Sequence, residues 1–292
     1  MPRAAAPGLR WEAWITADGD RVDLGWLGQP KRGTAIVLHG LDGHEGSHYV
    51  TPLMTALVRR GWQAVLLCAR GTTHHPNHQA RSYHSGFTDD LAALAERLHP
   101  AGPVAAVGIS VGGNQLLRWM GTLGKACPLV AAAAAGVPFD LAAADAALSR
   151  GFSRCYQWHL VRGLRAAYQA KAITYDLRGC SWRALRTFRH LDAVLTAPLH
   201  GFASVDAYYQ AASCRPLIPH ITVPTHLIHA DDDPFVPPAS IPTHLPPSVT
   251  LERHRHGGHV GFRHGWRARP WLEERLAEVL TRAADCPGGK NP

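Results

Sequence analysis

A regular alternation of two kinds of segment constrains this chain more than any other feature. Short apolar runs recur at 34–38, 64–68, 104–107, 129–135, 225–229 and 249–251, each bounded by turn-forming residues. Runs of this length between turn signals suit strands buried on both faces. Stretches near 49–60, 88–98, 112–123 and 271–283 read as helices. In the last of these, Pro270 stands at a helix start, and Trp271, Leu272, Leu276, Val279 and Leu280 recur at helical spacing. Strands and helices in alternation predict an α/β fold: a mostly parallel central sheet with helices packed on its faces. The first residues differ. Segments 12–15 and 21–26 flank Asp18-Gly19 and read as an antiparallel hairpin.

Composition sets the outer bounds. The 292 residues are 46% hydrophobic and 18% charged, which suits a globular chain with a sizeable core and excludes a disordered one. The longest apolar run, 128–139, is too short to span a bilayer, and its alanines read as a buried strand. The opening MPRAAAPGLRWEAW lacks the apolar stretch of a secretory signal. Six cysteines are widely spaced, with no C-x-x-C pair to frame a disulfide or a zinc knuckle. A cytoplasmic location is therefore expected. The chain is expected to form a single domain over 1–292. The β/α alternation breaks between 138 and 215, where Arg, Tyr, Trp and Leu are abundant, and this segment is expected to be a helical lid over one end of the sheet.

The net charge is +8, and its location is informative. Residues 150–190 carry Arg150, Arg154, Arg162, Arg165, Lys171, Arg178, Arg183, Arg186 and Arg189 against a single acid, Asp176, so this stretch holds the whole excess. No zinc-finger, RNA-recognition or basic-zipper motif accompanies it, and nucleic acid is not an expected partner. A solvated helical face, a contact with an anionic membrane surface and attraction of an acyl group on an anionic carrier are the readings of the basic lid.

The chemistry concentrates at Gly108-Ile109-Ser110-Val111-Gly112. This G-x-S-x-G pentapeptide follows an apolar run and opens a helical stretch, the strand–turn–helix setting of a nucleophile elbow. Small residues two before and two after the serine let the turn close so that the hydroxyl projects clear of the sheet. The pentapeptide alone is weak evidence; its setting makes Ser110 a candidate nucleophile rather than a helix-capping serine. A serine hydroxyl needs a base, and the base needs an orienting acid. In this kind of fold the chain order is Ser, acid, His. Asp231-Asp232-Asp233-Pro234 follows the run 225–229, and His256-Gly257-Gly258-His259 follows the run 249–251. Both lie where open α/β sheets gather their functional groups, at the C-terminal ends of strands. His39-Gly40-Leu41-Asp42-Gly43 follows the run 34–38. Its glycines allow close backbone approach, so the N–H groups of Leu41 and Val111 are the expected oxyanion donors.

Further segments make a resemblance specific. HGLDG and SHYV within 39–50, ARG (69–71), YHSGFTDDL (83–91), GISVGGNQLL (108–117), GFSRCY (151–156), TAPLHGFASVDAYY (196–209), HADDDPF (229–235) and HGGHVGF (256–262) resemble the YheT family of α/β-hydrolases, relatives of the eukaryotic α/β-hydrolase-domain esterases. The resemblance implies Ser110 as nucleophile, Asp233 as acid and His259 as base. It implies hydrolysis of carboxylic esters, with short- to medium-chain acyl esters or glycerolipids as small-molecule substrates, and no cofactor. Members often carry a further N-terminal segment with an aromatic–Pro stretch, which this chain is expected to lack.

Other candidates carry less. His39, His44 and His48, then His74, His75 and His78, then His254, His256 and His259 form three groups, none with a metal-site spacing, so no metal is expected. Most of these histidines read as loop or surface residues. Asp89 and Asp90 read as acids favoured in a first helical turn. Trp62 and Trp119 read as core. Trp158 and Trp182 are candidates to line an acyl pocket. An acyltransferase with the same triad and a non-catalytic binding protein on the same fold remain the rival functions.

Overall fold

The computed structural model describes residues 8–41, 43–73, 75, 77–170, 181–264 and 269–285. Asp42, His74, Lys171, Asp176, Arg178, Cys180 and Cys286 lie outside them. Eight strands form one sheet in the order β1-β2-β4-β3-β5-β6-β7-β8. They are β1 (Arg10–Ile15), β2 (Arg21–Leu27), β3 (Gly33–Leu38), β4 (Trp62–Leu67), β5 (Val104–Ile109), β6 (Ala131–Ala135), β7 (Thr225–Ala230) and β8 (Val249–His254). The pairs β1·β2 and β2·β4 are antiparallel, and the remaining pairs are parallel. The expected hairpin and all six expected strands are present, each within a few residues of its apolar run.

Strand alternation divides the buried side chains into two cores, because successive residues point to opposite faces. Ile36, Leu38, Val65 and Leu67 face α2 (Asp89–Leu98) and α3 (Val111–Leu123). Val37, Leu66, Val107 and Ile109 face α1 (Val50–Arg59) and α9 (Trp271–Asp285). Five consecutive alanines form β6, although alanine favours helices. Tertiary burial decides the outcome: β6 lies between β5 and β7, fully buried, and its short side chains let α9 pack close. Trp62 and Trp119 are core residues, as expected.

Arg70 is 3% exposed and fixes the antiparallel edge. Its guanidinium donates to Asp18, Asp20 and Asp90, tying the β1–β2 turn to the start of α2. Asp90 thus does more than favour its helix N-terminus: it holds a buried cation.

Between β6 and β7 the described residues are largely helical. Here lie α4 (Leu141–Leu148), α5 (Ser153–Ala170), α6 (Phe188–Leu191), a wide π turn (Asp192–Thr196), α7 (Ala197–Leu199) and α8 (Val205–Ala212). Leu148, Val161, Tyr168, Leu185, Phe188 and Leu195 give this insertion an apolar cluster of its own. Among the described residues, no helix is long and apolar enough to cross a membrane.

Candidate active site

Ser110 joins β5 to α3 at φ +53°, the left-handed region that side chains with a Cβ disfavour. Among the described residues it is the one non-glycine at positive φ. The flanking glycines make the turn sterically possible. A Cβ on Gly108 would lie 2.6 Å from the Gly113 Cα, and one on Gly112 would lie 2.5 Å from the His39 carbonyl oxygen. The strain at Ser110 is held by packing on both sides, as is common at functional turns.

The segments expected to meet do meet. Ser110 follows β5, Asp233 follows β7 and His259 follows β8, all at one end of the sheet. His259 Nε2 lies 2.8 Å from Ser110 Oγ, and His259 Nδ1 lies 2.8 Å from Asp233 Oδ2. The other oxygen of Asp233 accepts the N–H groups of Phe235 and Val236, at 2.8 and 3.2 Å. Both carboxylate oxygens are therefore committed, and the side chain is fully buried. The Phe235 ring sits against the imidazole with centroids 4.4 Å apart.

The three consecutive aspartates have separate tasks. Asp231 pairs with Arg253 across the exposed edge of β8. Asp232 accepts the N–H groups of Gly257 and Gly258, at 3.0 and 2.8 Å, and so shapes the loop that carries His259. Asp233 alone reaches the imidazole of His259.

The loop after β3 is built by groups that its histidine content concealed. His39 is buried, not a surface residue, and burial pushes its imidazole down to about 4, keeping it neutral. Its Nε2 accepts the N–H of Ala69 at 3.0 Å, which leaves Nδ1 as the donor to the Gly40 carbonyl at 2.8 Å. The Gly40 N–H donates to Tyr49 Oη at 2.9 Å and is thereby committed within the protein. Leu41 and Val111 lie beside Ser110 in the wall of one cavity. Asn114 anchors the elbow helix from behind. Its amide donates to the carbonyls of Ser85 and Ala212 and accepts the N–H of Cys214. These bonds join GISVGGNQLL, YHSGF and the end of α8 behind the elbow.

The cavity over Ser110 and His259 has a volume of about 210 Å³. Its apolar wall includes Leu148, Leu160, Phe188 and Phe235. Trp158 and Trp182, expected there, are not among the lining residues. Trp158 turns outward on α5 and is 59% exposed, with Arg162 stacked on its ring. The wall instead uses Leu160, two residues on and so on the opposite face of α5, which the phase of the helix directs inward. Two carboxylates that the sequence did not single out, Asp145 and Asp192, also line the cavity. Their signal in the sequence was slight: each is an isolated acid within a helical stretch. Among the described residues, no group of three or more His, Cys, Asp or Glu is disposed to hold a metal ion.

A family model described as serine aminopeptidase, S33, matches residues 29–245. YheT, a candidate esterase of Escherichia coli, is 37% identical over 286 residues, covering 93% of this chain and 84% of that protein. The mouse phospholipase ABHD3 is 27% identical, covering 92% of this chain and 70% of that protein. Among solved structures, the Pyrococcus furiosus esterase Pf2001 matches with a TM-score of 0.61 at 16% identity, covering 96% of this chain and 98% of that one. At that identity the likeness speaks to the fold, which is that of an α/β-hydrolase. The matched span contains strands β3 to β7, the elbow and the Asp turn, and the chain accordingly belongs to the serine aminopeptidase, S33 family and, within the α/β-hydrolases, to the YheT-like esterases.

Proposed function

We propose that this protein is a serine carboxylesterase acting through Ser110, His259 and Asp233 by way of an acyl-enzyme. The observation that carries the reading is the pair of 2.8 Å contacts linking Ser110 Oγ, the two nitrogens of His259 and Asp233. Asp233 accepts from His259 Nδ1, which leaves Nε2 free to take the serine proton. Ser110 Oγ then attacks the ester carbonyl carbon. The N–H groups of Leu41 and Val111 hold the oxyanion. The imidazolium gives its proton to the departing alcohol, and water, deprotonated by the same nitrogen, releases the acid and restores the serine. The apolar wall suits short- to medium-chain acyl groups or glycerolipids.

The insertion at 138–215 acts as a lid in this reading. Ser153 at the start of α5 donates to the Pro234 carbonyl at 3.0 Å, which ties the lid to the turn bearing Asp233. Phe152 is 75% exposed beside Arg150 and Arg154, which are also exposed. Apolar rings among cations are suited to peripheral contact with an anionic membrane surface. We place the enzyme in the cytoplasm, in keeping with the free thiols of Cys68, Cys127, Cys155 and Cys214.

A p-nitrophenyl ester series of increasing acyl length tests the activity. Turnover should be greatest among the short and medium chains and should fall for long ones. Absence of turnover across the whole series would refute the esterase reading.

A further inference from the structure

The cavity over Ser110 is mostly apolar, and its lid side carries two acids. Asp145 lies on α4 and is 9% exposed, and its Oδ1 is buried with no hydrogen-bond partner. Asp192 opens the π turn; its Oδ1 accepts from Thr196 Oγ1 at 2.6 Å and its Oδ2 from Tyr209 Oη at 3.0 Å. Both side chains line the cavity. A purely acyl-binding pocket has no use for the unpaired oxygen of Asp145, since a buried acceptor without a donor opposes folding.

We infer that Asp145 and Asp192 form a subsite for a hydrogen-bond donor on the substrate, a hydroxyl or an ammonium carried apart from the reacting ester. An ionised carboxylate can only accept, so the group that satisfies Asp145 Oδ1 must donate. An alkyl chain would leave it unfilled, and an anionic group would be repelled by both acids. The wide turn at Asp192 fits this assignment, because single π turns within helices are frequent at functional sites. It carries the carboxylate into the cavity while Thr196, one turn on, holds its rotamer. Burial, opposed by the donors from Thr196 and Tyr209, pushes the Asp192 carboxyl up to about 6. Burial likewise raises that of Asp145, against the pull of Arg189 and His190 on α6. The basic surface and the acidic interior thus have opposite preferences: the surface favours anionic assemblies, and the pocket selects a donor-bearing substrate.

The inference rests on the esterase reading and sharpens its substrate class. The test compares kcat/KM for p-nitrophenyl hexanoate with its ω-hydroxy and ω-amino derivatives, and for propyl butyrate with monobutyrylglycerol. In at least one pair the wild type should prefer the donor-bearing ester by about ten- to hundredfold, the range of a hydrogen bond to a charged group. Asp145→Leu should reduce that preference about tenfold or more, and Asp145→Asn and Asp192→Asn should reduce it in part. Fluorophosphonate labelling and thermal unfolding should show the variants folded; Asp145→Asn keeps the size and polarity of the site should the leucine disturb packing. The hydroxy and amino arms separate the two donors, and preference for either supports the subsite. A wild type that turns over plain esters with no such preference overturns the subsite and leaves the esterase reading standing. So does a preference unchanged in all three variants. A wild type without labelling or turnover overturns both.

Discussion

Replacing each of the three consecutive aspartates by asparagine, one at a time, separates the proposed orienting role from the structural ones beside it. In Asp233→Asn the side chain keeps its shape, and its carbonyl can still accept from Phe235 and Val236. The new amide then faces His259 Nδ1 as a donor, where a carboxylate oxygen had accepted. The ring must answer with Nδ1 unprotonated, which puts the proton on Nε2, the nitrogen that should receive the serine proton. Inverting a tautomer in this way costs on the order of 10⁴ in kcat, or about 5.5 kcal/mol of transition-state stabilisation. In Asp232→Asn the carbonyl can go on accepting from Gly257 and Gly258. What is lost is an ion-pair contact with His256, whose side chain is 82% exposed, so the cost should stay within about fivefold. Asp231→Asn loses an exposed pairing with Arg253 and should fall within about twofold. The assay is kcat/KM on p-nitrophenyl butyrate, with circular dichroism to confirm folding. Equal losses at Asp232 and Asp233, or an Asp233→Asn enzyme within tenfold of wild type, would refute the reasoning.

Three further outcomes follow from the charges. Arg70→Met leaves Asp20 and Asp90 buried without their cation and should lower unfolding stability by about 3–5 kcal/mol in urea denaturation. Glu252 is partly buried between β8 and α9; burial opposes its charge, but donors from Arg275, His226 and His254 hold its carboxyl down to about 2 from an ordinary 4.5. Its contribution to stability is therefore present above pH 4.5 and lost as pH falls toward 2, and Glu252→Gln should flatten the acid limb of the stability curve over that window. Changing Arg178, Arg183, Arg186 and Arg189 together to Gln should lower activity on anionic vesicles severalfold and abolish its salt dependence, while hardly altering turnover of a small neutral ester; an equal effect on both substrates would refute recruitment by the lid.

The sheet was legible because its strands are buried on both faces and so stand out as uninterrupted apolar runs. Even β6, whose alanines favour a helix, was marked by its length and its turn-forming neighbours. The elbow was legible because a tight strand–turn–helix junction admits few residues, and Gly108 and Gly112 are required by contacts of 2.6 and 2.5 Å. The insertion was legible as helical but not in its phase. Nothing in the local pattern says whether Trp158 or Leu160 faces the cavity, because that depends on where α5 rests against Phe235 and the Asp turn. Asp145 and Asp192 escaped notice for the same reason: an acid within a helical stretch reads as a solvated face until the tertiary structure places it in a cavity wall. The burial of His39 is not legible in a group of loop histidines, because it follows from contacts with Ala69, Thr72 and Tyr83, residues distant in the sequence.

The central claim is that Ser110 forms a covalent bond with the substrate carbonyl. Intact mass measurement after treatment with a fluorophosphonate probe, followed by peptide mapping, tests it most directly. The account predicts one stoichiometric adduct located on Ser110, absent in Ser110→Ala, with ester turnover in that variant reduced by on the order of 10⁴-fold or more. An adduct on any other residue, or turnover in Ser110→Ala within tenfold of wild type, would contradict it.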